Sequence, residues 1–564
     1  MGLEDITKKV FKNEKLALIF ISLIFSAFFI SNIYSPGVWN DEAAVGIVAD
    51  HVSGSINEGR MDKLPHMQWI HPVTVTSYLV FPFVYLFGSD VFSVRLALIF
   101  YAVGSLWLMY YLCRDWFGKK VAFITFLLTA TNLAFFQYTK LGNFHKDPYV
   151  VFLFWTGLFF IRRFFKKQRL VYLFLGFFIF GLALSVKLTF LVYIMALVAS
   201  YLIWHKKVDL FKGLSIKHML GAFISFCAGS YFLIEYNLRE DWITVKSMLG
   251  SLFAVSHEGR SNASYLDNLL LRTKQLFMMI GGNLEEKLDW GVLGKAPIEG
   301  VASIIILGLF LVSFVAIFIF AISKRVNFTI PRRKILFLYI FYGIVFLCTP
   351  FALSKFYQEH LIFIFPFPQI VCALFLVYIA HRLRRKQIAL IFIYSIFLIL
   401  PLFYNIWTNV YYANEMKKNG GTGPWSTAIY GLAGYLQENR IKRPICFFQE
   451  PATSIEFLSN HNSKKVLLGD TEECFRYFRA TQNEQVFADN VEIIKKLIVE
   501  THEKYYLNKQ DYFYIISMDS IEMELSESEA LKIFIEDYNK QLVLEKIFSN
   551  RAGEAVYYLY RISS

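Results

Sequence analysis

Asn40-Asp41-Glu42, two adjacent carboxylates just beyond a long apolar run, is the strongest candidate for acid–base chemistry in this chain. A carboxylate in the first turn of a helix is held ionised by the positive end of the dipole, and an ionised carboxylate can take a proton from an attacking nucleophile. Neighbouring residues on a helix point about 100° apart, so one of the two acids faces a given pocket. Capping of the helix by Asn40 or Asp41 is the competing explanation. Asp147, directly ahead of Pro148, is a further acid at the mouth of an apolar run, where the Asp-Pro pair also suits a helix N-cap followed by proline in the first turn. Gly142-Asn-Phe-His-Lys146 adds His145 and Lys146 beside it.

Lys187 and Lys355 lie in brief turns between apolar runs. Each suits a lysine snorkelling to the membrane surface, and each equally suits an anionic ligand such as a lipid phosphate. His71, followed by Pro72, and Arg95 and His360 are single polar residues in otherwise apolar surroundings, and a lone histidine is more often packed than liganding.

These groups must be positioned by membrane helices. Of 564 residues, 56% are hydrophobic, 18% aromatic and 18% charged, below the roughly 25% charged of soluble domains. Mean hydropathy is +0.44. The apolar runs are continuous, as in spanning helices, and lack the two-residue alternation of a membrane barrel. About eleven spans are expected: Glu14–Ile33, Val91–Leu112, Val121–Tyr138, Pro148–Phe165, Leu170–Val186, Leu188–Trp204, Met219–Ile234, Val301–Ile322, Ile335–Thr349, Tyr357–Ile379 and Ile388–Ile406. Pro72–Phe87, apolar but short and interrupted by Pro82, is expected at the membrane interface.

Basic clusters fall at alternate connections: Lys8 to Lys15, Arg114 to Lys120, Arg162 to Arg169, Lys206 to Lys217, Lys324 to Lys334 and Arg382 to Lys386. This pattern puts the N-terminus in the cytoplasm and the C-terminus outside, with Asp41, Asp147, Lys187 and Lys355 on the outer side. It also accounts for the net charge of +13 without any nucleic acid partner. The six cysteines are scattered, with no CxxC and no metal-ligand spacing. Four fall in spans, while Cys446 and Cys474 lie beyond the last one and suit a disulfide in an oxidising compartment.

The expected organisation is a polytopic all-α membrane domain over residues 1–408, with external loops at 34–90 and 237–300, and an extracytoplasmic α/β domain over 409–564. In the tail, Thr427–Gln437 has helical spacing, and the stretches 444–448, 465–468 and 512–516 read as short strands. The first external loop is far longer than an ordinary connection, which marks it for function, and its start at Asp41–His51 suits a short surface helix. No internal repeat or low-complexity segment is present.

In this order along the chain, Asp41-Glu42, His71-Pro72, Ser93-Val-Arg-Leu96, Gly181-Leu-Ala-Leu-Ser-Val-Lys187 and Ser354-Lys355 through Pro366 resemble the GT-C superfamily of membrane glycosyltransferases, in particular the protein O-mannosyltransferases and the lipid A aminoarabinose transferases. The resemblance covers roughly residues 14–380. Val73 replaces a frequent second proline, and Phe356 stands where an arginine is common. It implies a polyprenyl-phosphate-linked sugar as donor and a lipid, glycan or protein acceptor entering from outside. It implies Asp41 as general base with Glu42 in reserve, and Lys187, Lys355, Arg95 and Lys146 as candidates to hold the donor phosphate. Asp147 would orient the acceptor or help bind a divalent cation, the one cofactor left open; His71, His145 and His360 would line the substrate. The rival reading is a lipid-linked glycan flippase or transporter, which predicts related halves and charges near mid-span. An adhesin or sensor would not require the acids and lysines of the loops.

Overall fold

The computed structural model describes residues 13–60, 73–140, 147–204, 215–246, 265–281, 299–323, 330–351, 361–362, 365–383, 386–441, 445–446, 449–459, 466–467, 513–518 and 541–563. A described helix falls within each expected span, the one in Tyr357–Ile379 beginning at Phe367. In chain order they are α1 (Glu14–Ile30), α2 (Asn40–Asn57), α3 (Val73–Phe87), α4 (Val91–Phe117), α5 (Lys119–Thr131), α6 (Leu133–Lys140), α7 (Asp147–Lys167), α8 (Leu170–Val186), α9 (Phe190–Trp204), α10 (Ile216–Gly229), α11 (Tyr231–Arg239), α12 (Tyr265–Gly281), α13 (Glu299–Ile322), α14 (Arg332–Cys348) and α15 (Phe367–Arg382). A last long helix follows in two parts, α16 (Gln387–Tyr394) and α17 (Leu400–Asn419), joined by a π-helical turn at Ser395–Ile399.

Among the described residues, four helical stretches are individually long and apolar enough to cross a membrane: α4, most of α7, α13 from Val301, and the run Gln387–Asn419. The α10–α11 pair, bent by 67°, makes a fifth if taken as one span. The other apolar helices are shorter, and besides Met219–Ile234, which the α10–α11 bend breaks, the expected span Val121–Tyr138 is split. Between α5 and α6, Asn132 leaves the helical conformation and its side chain accepts the Phe135 N–H at 3.0 Å, capping α6. The Thr131 carbonyl freed at this break accepts from Asn409 at 2.9 Å. Many helices carry apolar residues on both faces. In α1, Leu18, Phe25 and Phe29 are buried while Leu16, Phe20 and Leu23 are exposed, as a helix between protein and lipid requires.

The tail begins with α18 (Ala428–Glu438) and α19 (Gln449–Leu458), and its strands are β1 (Ile445–Cys446), β2 (Val466–Leu467), β3 (Phe513–Met518), β4 (Gln541–Ser549) and β5 (Ala555–Ser563). They form one sheet in the order β2-β1-β3-β5-β4, parallel at β2/β1/β3 and antiparallel at β3/β5/β4. The first three strands fall where the sequence places them. The β4–β5 hairpin is an addition, closed by Asn550, whose side-chain oxygen accepts from the Ala552 and Glu554 N–H groups. Cys446 lies in β1, and Cys474 falls outside the described residues. Cys113, Cys227, Cys348 and Cys372 are free thiols on the membrane helices.

Helix α2 forms where a surface helix is expected, but protein covers it. It packs between α3 and α19. Gly46 allows this, since a Cβ there would lie 2.3 Å from the Phe457 ring of α19. From α3, Ser77 donates to the Val45 carbonyl at 3.0 Å.

Candidate active site

The chain between α1 and α2 is fastened at several points, and this fixes where Asp41 stands. Trp39, extended at the N-cap of α2, stacks on Trp425 with ring centroids 5.0 Å apart and planes 13° from parallel. The Gly37 N–H donates to the Trp425 carbonyl. A Cβ at Gly37 would meet the Ser426 carbonyl oxygen at 2.0 Å, so only glycine passes here. Ser454 of α19 donates to the Val38 carbonyl at 3.1 Å. From the hairpin turn, Arg551 donates to Ser35 at 3.3 Å and to the Lys417 carbonyl at 2.9 Å. The tail therefore grips the segment that presents the acids.

The second carboxylate of the pair is locked. Glu42 and Arg95 are 5% and 3% exposed at their side chains and form a bidentate pair, Nε to Oε1 at 2.9 Å and Nη2 to Oε2 at 2.7 Å. The remaining donors of Arg95 go to the carbonyls of Ile33 at 2.6 Å, Pro36 at 2.9 Å and Gly37 at 3.2 Å. Every N–H of the guanidinium is thus used within the protein. Arg95 holds α4, α2 and the 33–37 segment together. One turn earlier, Asp90 caps α4 by accepting the Val91 N–H at 2.7 Å and accepts from the Tyr34 hydroxyl at 2.9 Å.

Asp41 is different. It lies in the first turn of α2, half-buried, with no hydrogen bond or ion pair to any described residue. Neither it nor Asn40 caps the helix, because the N-cap is Trp39 and no side-chain cap bond forms. The Asn40 Oδ1 is buried without a partner among the described residues.

Sequence reasoning passed over Lys140, at the end of α6. It is 4% exposed, and its ammonium contacts the Met416 sulfur of α17 at 3.6 Å. Lys140 is the last residue of α6, two residues past the end of the expected span. Gln137, one turn earlier and 1% exposed, has both amide atoms buried and unbonded among the described residues. Helix α6 is anchored beneath them by rings, Phe136 packing on Phe29 at 4.4 Å and on Phe25 at 5.5 Å. The signal in the sequence was the same one that marked Lys187 and Lys355, a lysine at the end of an apolar run.

Lys187, half-buried, is the C-cap of α8. Asp147 opens α7, and its side chain lies outside the described residues, as do His71, His145, Lys146, Lys355 and His360. Asp41, Glu42, Arg95 and Lys140 are brought to one end of the bundle through the α1–α2 connection and the N-terminus of α4. No three His, Cys, Asp or Glu side chains gather as a metal-ligand set among the described residues.

Residues 71–234 match the family model of the dolichyl-phosphate-mannose-protein mannosyltransferases. No curated protein matches the chain along its sequence. Among solved structures, the chain is similar to ArnT from Cupriavidus metallidurans bound to undecaprenyl phosphate, with TM-score 0.57 and 12% identity over 97% of this chain and 98% of that one. It is also similar to the Archaeoglobus fulgidus oligosaccharyltransferase in complex with Zn and sulfate, with TM-score 0.50 and 12% identity over 96% of this chain and 72% of that one. The same oligosaccharyltransferase tethered to an acceptor peptide containing the NVT sequon gives TM-score 0.50 and 15% identity, over 94% and 72%. At these identities the likeness is one of fold.

Proposed function

Because the chain has the fold of the GT-C membrane glycosyltransferases, we propose that it transfers a sugar from a polyprenyl-phosphate donor to an acceptor outside the membrane. The observation that carries this reading is the contrast within one acidic pair. Glu42 is consumed by Arg95, while Asp41, beside it, is half-buried and unpaired among the described residues. A carboxylate held in place by its neighbour's clamp, yet itself uncommitted, is suited to general-base work.

In the reaction, an acceptor hydroxyl or amine attacks the anomeric carbon of the sugar. The new bond to that carbon forms as the bond from the anomeric carbon to the phosphate oxygen breaks. The acceptor's proton passes to Asp41, and the electron pair of the broken bond leaves on polyprenyl phosphate, with inversion at the sugar. The leaving phosphate is already a good leaving group, so the site needs positive charge beside it more than a general acid. Lys187 and Lys355 are assigned to that charge, with Lys146, next to Asp147 in the sequence, as a further candidate. Glu42 and Arg95 are assigned to positioning, since the donors of Arg95 are spent on both Glu42 oxygens and on three backbone carbonyls. Asp147 is assigned to the acceptor. The donor class is supported by the family model matched at residues 71–234, whose name specifies a lipid-phosphate sugar, and by the undecaprenyl phosphate bound to ArnT. The acceptor is a lipid, glycan or protein, reached on the side opposite the cytoplasmic N-terminus, where the tail also lies.

Purified protein supplied with a polyprenyl-phosphate sugar and candidate acceptors tests this directly. Release of polyprenyl phosphate with glycosylated acceptor is expected. Movement of the intact lipid-linked sugar across a vesicle bilayer without bond cleavage would instead identify a flippase.

A further inference from the structure

Lys140 and Gln137 are polar groups buried where burial is expensive. An ammonium removed from water needs a counter-charge, and an amide needs hydrogen bonds. Among the described residues Lys140 touches only a thioether, which is a weak acceptor for a cation. Gln137 has neither its donor nor its acceptor satisfied. Residues three apart on a helix share a face, so the two side chains are neighbours on α6. The described acids around Arg95 do not serve them: Glu42 is bound to Arg95, Asp90 accepts from Tyr34 and the Val91 N–H, and Asp41 makes no ion pair. Arg95 is paired with Glu42, and Lys140 has no ion-pair partner among the described residues.

We propose that Lys140 and Gln137 form part of the binding site for the glycosyl-phosphate head of the donor. The ammonium would meet a phosphate oxygen, and the Gln137 amide, able both to donate and to accept, would meet a sugar hydroxyl. The idea rests on the polyprenyl-phosphate donor proposed above. It adds a cation from α6 to those in the loops, and it explains why a lysine and a glutamine are kept dry beside each other.

Binding of undecaprenyl phosphate to the purified full-length protein in detergent, measured without turnover, tests it. Lys140→Met keeps the length of the side chain and suits the Met416 contact. It is expected to weaken binding roughly 10- to 100-fold, the loss of a charge-assisted bond. Thermal stability should stay unchanged or rise, since a lone buried charge has been removed. Gln137→Leu is expected to weaken binding of the sugar-bearing donor while sparing undecaprenyl phosphate itself. Equal binding by wild type and Lys140→Met would overturn the inference and leave the donor class standing. So would a Lys140→Met protein that is destabilised and matched in this by Asp147→Asn, the result of a structural ion pair between the two. Failure of the wild type to bind either lipid would overturn the donor assignment itself, and this site with it.

Discussion

At the scale of single residues, the Glu42–Arg95 pair decides how the acidic pair divides its labour. Its two partners come from α2 and α4, and the pair is buried and bidentate. Breaking a buried pair from one side strands the other charge, so Glu42→Gln and Arg95→Met are each expected to cost about 3–5 kcal/mol of stability. Arg95→Lys should not restore it, because an ammonium cannot replace a planar fork holding a carboxylate and three carbonyls. Thermal unfolding in detergent checks this, and variants as stable as the parent would remove the clamp from the account. Asp41-Glu42 was legible as a pair from its place after the first apolar run. Which of the two was free was not legible, because it depends on an arginine far along the chain that no local spacing connects to Glu42. Arg95 was noticed and given to the donor for the same reason. Lys140 could have been found by the argument applied to Lys187, whereas its pairing with an unsatisfied Gln137 depends on burial that composition does not reveal.

At the scale of elements, glycine and serine set how closely the helices carrying the site approach one another. Gly181 of α8 and Gly229 of α10 meet backbone to backbone, where an added Cβ would lie 2.2 Å from the Phe226 carbonyl oxygen and 2.0 Å from that of Phe178. Ser185 and Ser230 add hydrogen bonds across the same crossing, to the carbonyls of Gly229 and Gly181, both at 3.3 Å. Small residues are how membrane helices pack closely without a hydrophobic drive between them. The crossing ends at Lys187, so the segment Gly181–Lys187 is a packing device that places a lysine at the C-terminal end of α8. Gly229→Val is expected to destabilise the protein by about 1–3 kcal/mol or more through overpacking. Loss of folded protein on size exclusion in detergent would register it, and a fully stable variant would show that the two helices need not touch. The sequence marked these helices through their apolar runs, yet it read α5 and α6 as one span. The break at Asn132 looks like any polar residue in a run until its cap and the Asn409 bond are seen. The β4–β5 hairpin was missed although its strands are rich in β-formers and flank a turn with Gly553, a standard hairpin signal.

At the scale of the whole molecule, the tail is part of the site's support rather than an appendage. Its helix α19 covers α2, Trp425 stacks on Trp39, and Arg551 reaches the segment before the acids. The likeness to ArnT runs over 97% of this chain, tail included. That a tail exists, and that three of its strands form, was legible from the fall in hydrophobicity and from short β-rich stretches. Its grip on the first loop was not, since it is made by bonds between the two ends of the chain. The alternation of basic clusters predicts which side this assembly occupies. A cysteine introduced by Glu438→Cys, at an exposed position of α18, should react with an impermeant thiol reagent in intact cells, and Lys120→Cys only after permeabilisation. The reverse pattern would invert the topology. The central claim, that Asp41 is the base of a sugar transfer from a polyprenyl-phosphate donor, is met most directly by one assay. Wild type and Asp41→Asn are compared for release of polyprenyl phosphate and for glycosylated acceptor, with thermal stability measured alongside. The account predicts a folded variant with transfer reduced by about 100-fold or more, and a folded Asp41→Asn protein that still transfers sugar at near wild-type rate would contradict it.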